Sequence, residues 1–283
     1  MSSGALSPGE ATEQLYQTGI HHLEEATQLT FLKNVYGGLL LSFGGLFSII
    51  ASAGCPGLDE SNPGLVRLLQ GITFPVGLVV VYFVGAELFT GYPMWLAMTA
   101  LQRRGRPIEY VRGLAVSWLG NLVGALLVAT SFSYLSNTLT EEPYRSGLVA
   151  EVTEDIVDAA WAVIFLRAIA CGCLVTLAMF MGTQNGDGIS KALGLHLPFF
   201  LATTARFPHT VKYMYYASAG MMMGAPLSVG GFLWKCMLPI TLGNTIGGAV
   251  FTGAYNWWVF MYCEDQKAPD RFDGLDGGSD GGA

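Results

Sequence analysis

Two ionisable side chains, Glu87 and His209, stand where an apolar chain has least use for charge. Glu87 lies in residues 74–98, an apolar run with no other acid, and Gly85, Gly91 and Pro93 surround it. His209 lies in a second apolar region, 192–223, which Arg206, Pro208, His209 and Lys212 interrupt. An acid in a span marks a functional site by default, and a histidine is readily tuned across neutral pH. Glycine and proline beside such groups break a helix, and broken backbone at membrane depth survives only when buried in protein or lining a water-filled path. The spacing therefore predicts interrupted helices beside a solute pathway. The chemistry on offer is to hold, hydrate or protonate a passing ion, because a bare anion in hydrocarbon is prohibitively costly.

The elements that must position these groups are membrane helices. The chain has 283 residues, 52% hydrophobic and 12% charged, with a mean hydropathy of +0.45. Soluble domains carry about 25% charged residues. A net charge of −7 argues against nucleic acid as a partner. Five cysteines, an odd number placed mostly in apolar runs, read as small buried hydrophobes. The sequence has no histidine cluster, metal-ligand spacing or nucleophile elbow, so it is expected to be neither an enzyme nor a binder of metal or cofactor. No cleavable signal peptide is expected, since the first thirty residues contain Glu10, Glu13, Glu24 and Glu25.

The expected organisation is a cytoplasmic segment at 1–30, read as an amphipathic helix along the bilayer, then a transmembrane domain at 31–263. A disordered acidic, glycine-rich tail is expected at 264–283. Six spans are predicted, near 31–53, 66–101, 111–135, 159–181, 192–223 and 231–262, with the second and fifth interrupted. The loop holding Arg103, Arg104 and Arg106 should be cytoplasmic. Both termini are then cytoplasmic, and the acidic loop 136–158 is external. That loop sets Glu141, Glu142, Glu151, Glu154, Asp155 and Asp158 against Arg145 alone.

An internal repeat supports this division. Leu119-Gly-Asn-Leu-Val-Gly-Ala recurs as Leu242-Gly-Asn-Thr-Ile-Gly-Gly-Ala, which puts Asn121 on Asn244 at an offset of 123 residues. The same shift lays residues 85–90 on 208–213, so the two interruptions fall in corresponding places. With three spans each, repeats 31–135 and 159–263 would be inverted relative to each other, and paired breaks in inverted repeats point to a site near the midplane.

Gly85-Ala-Glu-Leu-Phe-Thr90, the two Leu-Gly-Asn motifs and Phe207-Pro-His209 resemble the formate/nitrite transporter family over residues 15–263. The resemblance implies an all-α, aquaporin-like fold and a homopentamer with one pore per protomer. It also implies passage of small monovalent anions across a lipid bilayer, with or without a proton. Nitrite or formate is expected foremost, a link to protons is expected from the chemistry of the histidine, and the plasma membrane is the expected location. Carried over, Leu88, Phe89 and Thr90 lie in the loop that breaks the second span, Phe74 and Leu78 form apolar constrictions, and His209 is the central histidine, near Thr90. Glu87, Asn121, Asn244, Arg167 and Arg206 are supporting residues. Glu87 is expected to accept N–H bonds from the broken loop, and Arg206 and Lys212 to pair or to reach toward water.

The sequence also departs from the family pattern. Pro208, Arg206 and Tyr213 replace the usual glutamate, glycine and asparagine around the histidine. Ala202 replaces a constriction phenylalanine, with Phe199 or Phe200 close enough to compensate. Gly172 replaces an asparagine in the fourth span, and Ile156 a lysine just before it, with Arg167 as a substitute or a structural partner. These departures keep two other readings open, a conduit for small neutral solutes and a transport-incompetent structural relative.

Overall fold

The computed structural model describes residues 4–263. The expected tail at 264–283 lies outside the described residues, which are helical throughout with no strand among them. In chain order the helices are α1 Pro8–Glu24, α2 Thr27–Ala53, α3 Pro56–Ser61, α4 Pro63–Thr73, α5 Val76–Phe83, α6 Tyr92–Leu101 and α7 Pro107–Leu127. There follow α8 Tyr144–Val152, α9 Trp161–Gln184, α10 Gly188–Thr204, α11 Thr210–Met223, α12 Val229–Gly231, α13 Leu238–Ile246 and α14 Tyr255–Trp257.

Helix α1 starts on a capping box, with Ser7 and Glu10 satisfying each other's backbone N–H and Pro8 at the first position. Its buried stripe of Ala11, Leu15, Gly19 and Leu23 recurs every four residues, the spacing of one helix face. That stripe meets protein: a Cβ on Gly19 would lie 2.8 Å from the Trp95 carbonyl oxygen of α6.

Small residues set the helix pairs. A Cβ on Gly124 of α7 would lie 2.1 Å from the Val35 carbonyl oxygen of α2, and one on Gly247 would lie 2.2 Å from the Ile169 carbonyl oxygen of α9. A Cβ on Gly38 would meet Asn121 O at 2.3 Å, and one on Gly172 would meet Asn244 O at 2.3 Å. The α2–α7 contact is thus repeated in the α9–α13 pair. Because backbone rather than a side-chain tip opposes these positions, Gly124→Ala must push α2 and α7 apart. It is expected to cost about 2 kcal/mol, read as a lower thermal midpoint in detergent. Gly57→Ala, with nothing within 4 Å of its Cβ, leaves the midpoint unchanged.

Both expected interruptions are present. The chain leaves helix after α5 and after α10 and re-enters it at Phe89 and Thr210. Gly85 and Arg206 both take left-handed backbone, at φ 69° and 56°. The Gly85 and Ala86 N–H groups bond Tyr82 O and Val81 O, and those of Arg206 and Phe207 bond Thr203 O and Ala202 O. These matched positions differ by 121 residues (206 − 85), so Leu88 corresponds to His209 and Glu87 to Pro208. The sequence shift of 123, read from the asparagine motif, placed the breaks two residues out of register. The stretch joining break to asparagine is two residues longer in the second half.

Among the described residues, four helical runs are long and apolar enough to cross a membrane: Thr27–Ala53, Pro63–Phe83, Pro107–Leu135 and Trp161–Gln184. The fifth expected span is split into helices of 17 and 14 residues. The sixth alternates α and π turns from Val229 to Tyr262. The acidic stretch expected as a loop contains α8 and a π turn, Thr153–Val157.

Candidate substrate pathway

The two breaks meet at one polar contact. His209 Nε2 lies 2.9 Å from Thr90 Oγ1, with His209 1% exposed and Thr90 fully buried. Helix α11 settles the ring's protonation pattern. His209 is its N-cap, and Nδ1 accepts the Lys212 backbone N–H at 3.2 Å. A nitrogen that accepts cannot carry the hydrogen, so the neutral ring bears it on Nε2 and donates to Thr90. Bond donation therefore points away from the helix, toward the other break.

Each break hangs from an asparagine. Asn121 Oδ1 accepts the Phe89 N–H at 2.7 Å, and its Nδ2 donates to Asn34 O at 2.6 Å and Glu87 O at 3.0 Å. Asn244 Oδ1 accepts the Thr210 N–H and hydroxyl, both at 2.8 Å, and its Nδ2 donates to Ala168 O at 2.8 Å and Pro208 O at 3.1 Å. Buried backbone groups need partners, and these two amides supply them where the helices stop.

Apolar side chains close both sides of the contact. Phe74 and Phe199 meet edge-on at 5.2 Å between centroids, and Phe199 meets the His209 ring at 5.2 Å. Phe199, not Phe200, thus puts an aromatic ring on His209. Toward α1, Leu78, Leu88, Thr90 and Glu87 line a cavity of about 240 Å³ that also reaches His22 and Trp95. Phe89 is buried beside it. At the far end of α2, Gln70, Glu151, Glu154 and Arg206 line a cavity of about 450 Å³.

The charged groups settle into two clusters. Glu87 does not use its carboxylate on the broken loop as expected; the loop N–H of Phe89 already has Asn121. Its oxygens instead take the Tyr92 hydroxyl at 2.5 Å and Lys33 at 3.0 Å, with His22 Nδ1 at 3.8 Å. Lys33 also pairs with Glu25. Burial opposes the ionisation of Glu25, but the Lys33 ammonium and Thr30 hydroxyl outweigh it and hold its carboxyl below the usual range. Burial depresses the basicity of His22, which the Glu87 and Glu25 carboxylates only partly restore.

At the other end, Arg206 bridges Glu154 at 2.7 Å and Asp155 at 3.0 Å, the Tyr213 hydroxyl donates to Asp155, and Lys212 pairs with Glu151 at 2.9 Å. Arg206 accepts a backbone conformation unfavourable for a side-chain-bearing residue, and these two ion pairs offset that strain. Arg167 joins neither cluster. It is exposed on α9 between exposed Leu166 and buried Ala168.

The sequence did not single out Glu151, Gln70, His22 or Lys33. The usable signal was charge matching: an acidic stretch with one arginine, and a break with two unexplained cations.

The sequence pattern described as Formate/nitrite transporter matches residues 9–258. The chain belongs to the formate/nitrite transporter family. Among its relatives in that family, a probable formate transporter of Methanothermobacter thermautotrophicus is 30% identical over 276 residues, covering 92% of this chain and 99% of the relative. The formate channel FocA of Haemophilus influenzae is 26% identical over 280 residues, covering 92% and 96%. Two solved structures share the fold. One, an FNT family ion channel, gives a TM-score of 0.76 at 22% identity over 88% of this chain and 98% of that one. The other, a pentameric formate channel with formate bound, gives 0.72 at 25% identity over 83% and 98%. Family membership and the apolar helices together make this a multi-pass membrane protein of a transporter and channel family.

Proposed function

We propose that this protein passes small monovalent anions, nitrite or formate, across the plasma membrane in a proton-linked step at His209. The observation that carries the reading is the buried His209–Thr90 contact at 2.9 Å, where the two breaks meet between two cavities. Phe74 and Phe199 on one side and Leu78 and Leu88 on the other exclude hydrated ions, because a hydrated ion cannot shed its water against apolar rings. An anion between them meets the start of α11, whose dipole favours negative charge, and the Nε2–H of His209. There the anion takes the Nε2 proton while a proton from water replaces it on the ring, so the imidazole stays neutral and the costly ion becomes a neutral acid that crosses the next apolar ring.

The assembly we propose is a homopentamer with both termini cytoplasmic and six spans in two inverted three-span repeats. The matched glycine, asparagine and left-handed positions support the repeat. So does the 3.1 Å bond from Trp118 Nε1 to Thr241 Oγ1, since these residues are themselves 123 apart, as equivalent residues beside a two-fold axis would be.

The test is uptake of labelled formate and nitrite into proteoliposomes at two external pH values, with acetate, lactate and hydrosulfide as competitors. The expected result is uptake that rises as external pH falls and that formate and nitrite compete for best. Uptake of neutral solutes alone, or none of any solute, defeats the reading.

A further inference from the structure

The Glu151 carboxylate sits in a receptor of its own size. It is 8% exposed, and Lys212, its ionic partner, is 4% exposed. Oε1 accepts from Lys212 Nζ at 2.9 Å, and Oε2 accepts from Gln70 Nε2 at 2.9 Å. Each oxygen of a planar, two-oxygen anion thus has its own donor. Aromatic faces surround the ammonium, with Nζ 4.5 Å from the Tyr216 ring centroid, 5.4 Å from that of Tyr213 and 5.7 Å from that of Phe74.

The position of this receptor matters as much as its shape. Glu151 and Gln70 belong to the wall of the 450 Å³ cavity. Lys212 is on the first turn of α11, and its backbone N–H caps the ring of His209. The receptor therefore stands between an open cavity and the central histidine. A carboxylate side chain is a tethered relative of formate, and nitrite has the same bent, two-oxygen outline.

We infer that Lys212 and Gln70 form an anion-binding site whose resting occupant is Glu151, and that a small planar anion such as formate or nitrite takes the place of Glu151 on its way to His209. The exchange keeps one negative charge on Lys212 throughout, while the displaced Glu151 carboxylate turns into the 450 Å³ cavity whose wall it already belongs to. A buried cation is stranded when its partner is removed, and the loss is large; replacing one carboxylate by another avoids it. Asp155 does not compete for the ammonium, because Arg206 and the Tyr213 hydroxyl already hold it. The binding part stands on geometry alone, and only the route to His209 rests on the transport reading above.

The experiment is chemical rescue. Glu151→Ala, purified in detergent, is expected to unfold at a lower temperature than wild type. Sodium formate or nitrite should restore the midpoint with saturation, while sodium chloride at equal ionic strength restores less. Wild type, with its site filled, should shift little. Glu151→Gln, which keeps the side-chain shape without the charge, is measured in parallel and should show the same anion dependence should the alanine variant not fold. Adding Lys212→Met to either variant should abolish the rescue.

Rescue by chloride equal to that by formate, or rescue that survives Lys212→Met, overturns the site. In proteoliposomes Glu151→Ala should lower the KM for formate about tenfold, because substrate no longer displaces a tethered rival; an unchanged KM overturns the exchange step. Rescue without any wild-type uptake keeps the binding site and removes the transport reading.

Discussion

Replacing His209 by phenylalanine lowers proton-linked uptake of formate and nitrite by about a hundredfold or more, the range expected when a positioned proton-transfer group is lost. The substitution removes the Nε2–H that points at Thr90 and the Nδ1 acceptor that caps α11. The two losses can be told apart. An N-cap contributes about 1 kcal/mol of stability, which appears in the thermal midpoint and not in the pH profile of transport. His209→Asn keeps a side chain suited to capping while removing the imidazole and its Nε2–H. It should therefore fold like wild type and still lose the pH dependence of uptake. Uptake by His209→Asn at the wild-type rate and with the wild-type pH profile would mean the imidazole only caps the helix.

The largest loss of stability should follow Asn244→Leu. Four hydrogen bonds converge on that amide, and at about 1 kcal/mol each their removal costs about 4 kcal/mol. The cost also includes a stranded Thr210 N–H and two stranded carbonyls, and the leucine must fit where Gly172 packs against the backbone of residue 244. Asn121→Leu removes three bonds and should cost about 3 kcal/mol on the same scale. Unfolding midpoints in detergent for both variants check the magnitude and the ordering. Midpoints within about 1 kcal/mol of wild type would show that water or relaxation replaces these bonds, and would remove the asparagines as the fastenings of the breaks.

The sequence signalled both breaks because their signals were local: a lone acid among glycines, and a proline with a histidine between cations. Asn121 and Asn244 were legible for the same reason, since each closes a Leu-Gly-Asn run that repeats as a motif. The two-residue register shift was not legible. It depends on how far the chain travels between Leu88 and Asn121 and between His209 and Asn244, and the motif carries no information about that distance. Helix α8 was hidden because acids such as Glu151, Glu154 and Asp155 read as a solvated loop. Only the fold brings them against Lys212 and Arg206, more than fifty residues away. Phe199 illustrates a third limit. It sets its ring on His209 from a position close to Ala202 in sequence, and which of two neighbouring phenylalanines does so depends on the rotation of α10.

Proline at position 208 gives the two halves different fastenings. At the first break the Glu87 N–H reaches Lys33 O at 3.3 Å, so that loop is stitched to α2 through its own backbone as well as through Asn121. Pro208 stands at the matching place and has no N–H to offer. The strand of chain that presents His209 consequently has one backbone tie fewer than the strand that presents Thr90, and the Thr210 hydroxyl, which donates to Asn244, makes up the difference. The two halves are fastened equally often but by different means, one through main chain to a neighbouring helix and the other through a second bond to its own asparagine.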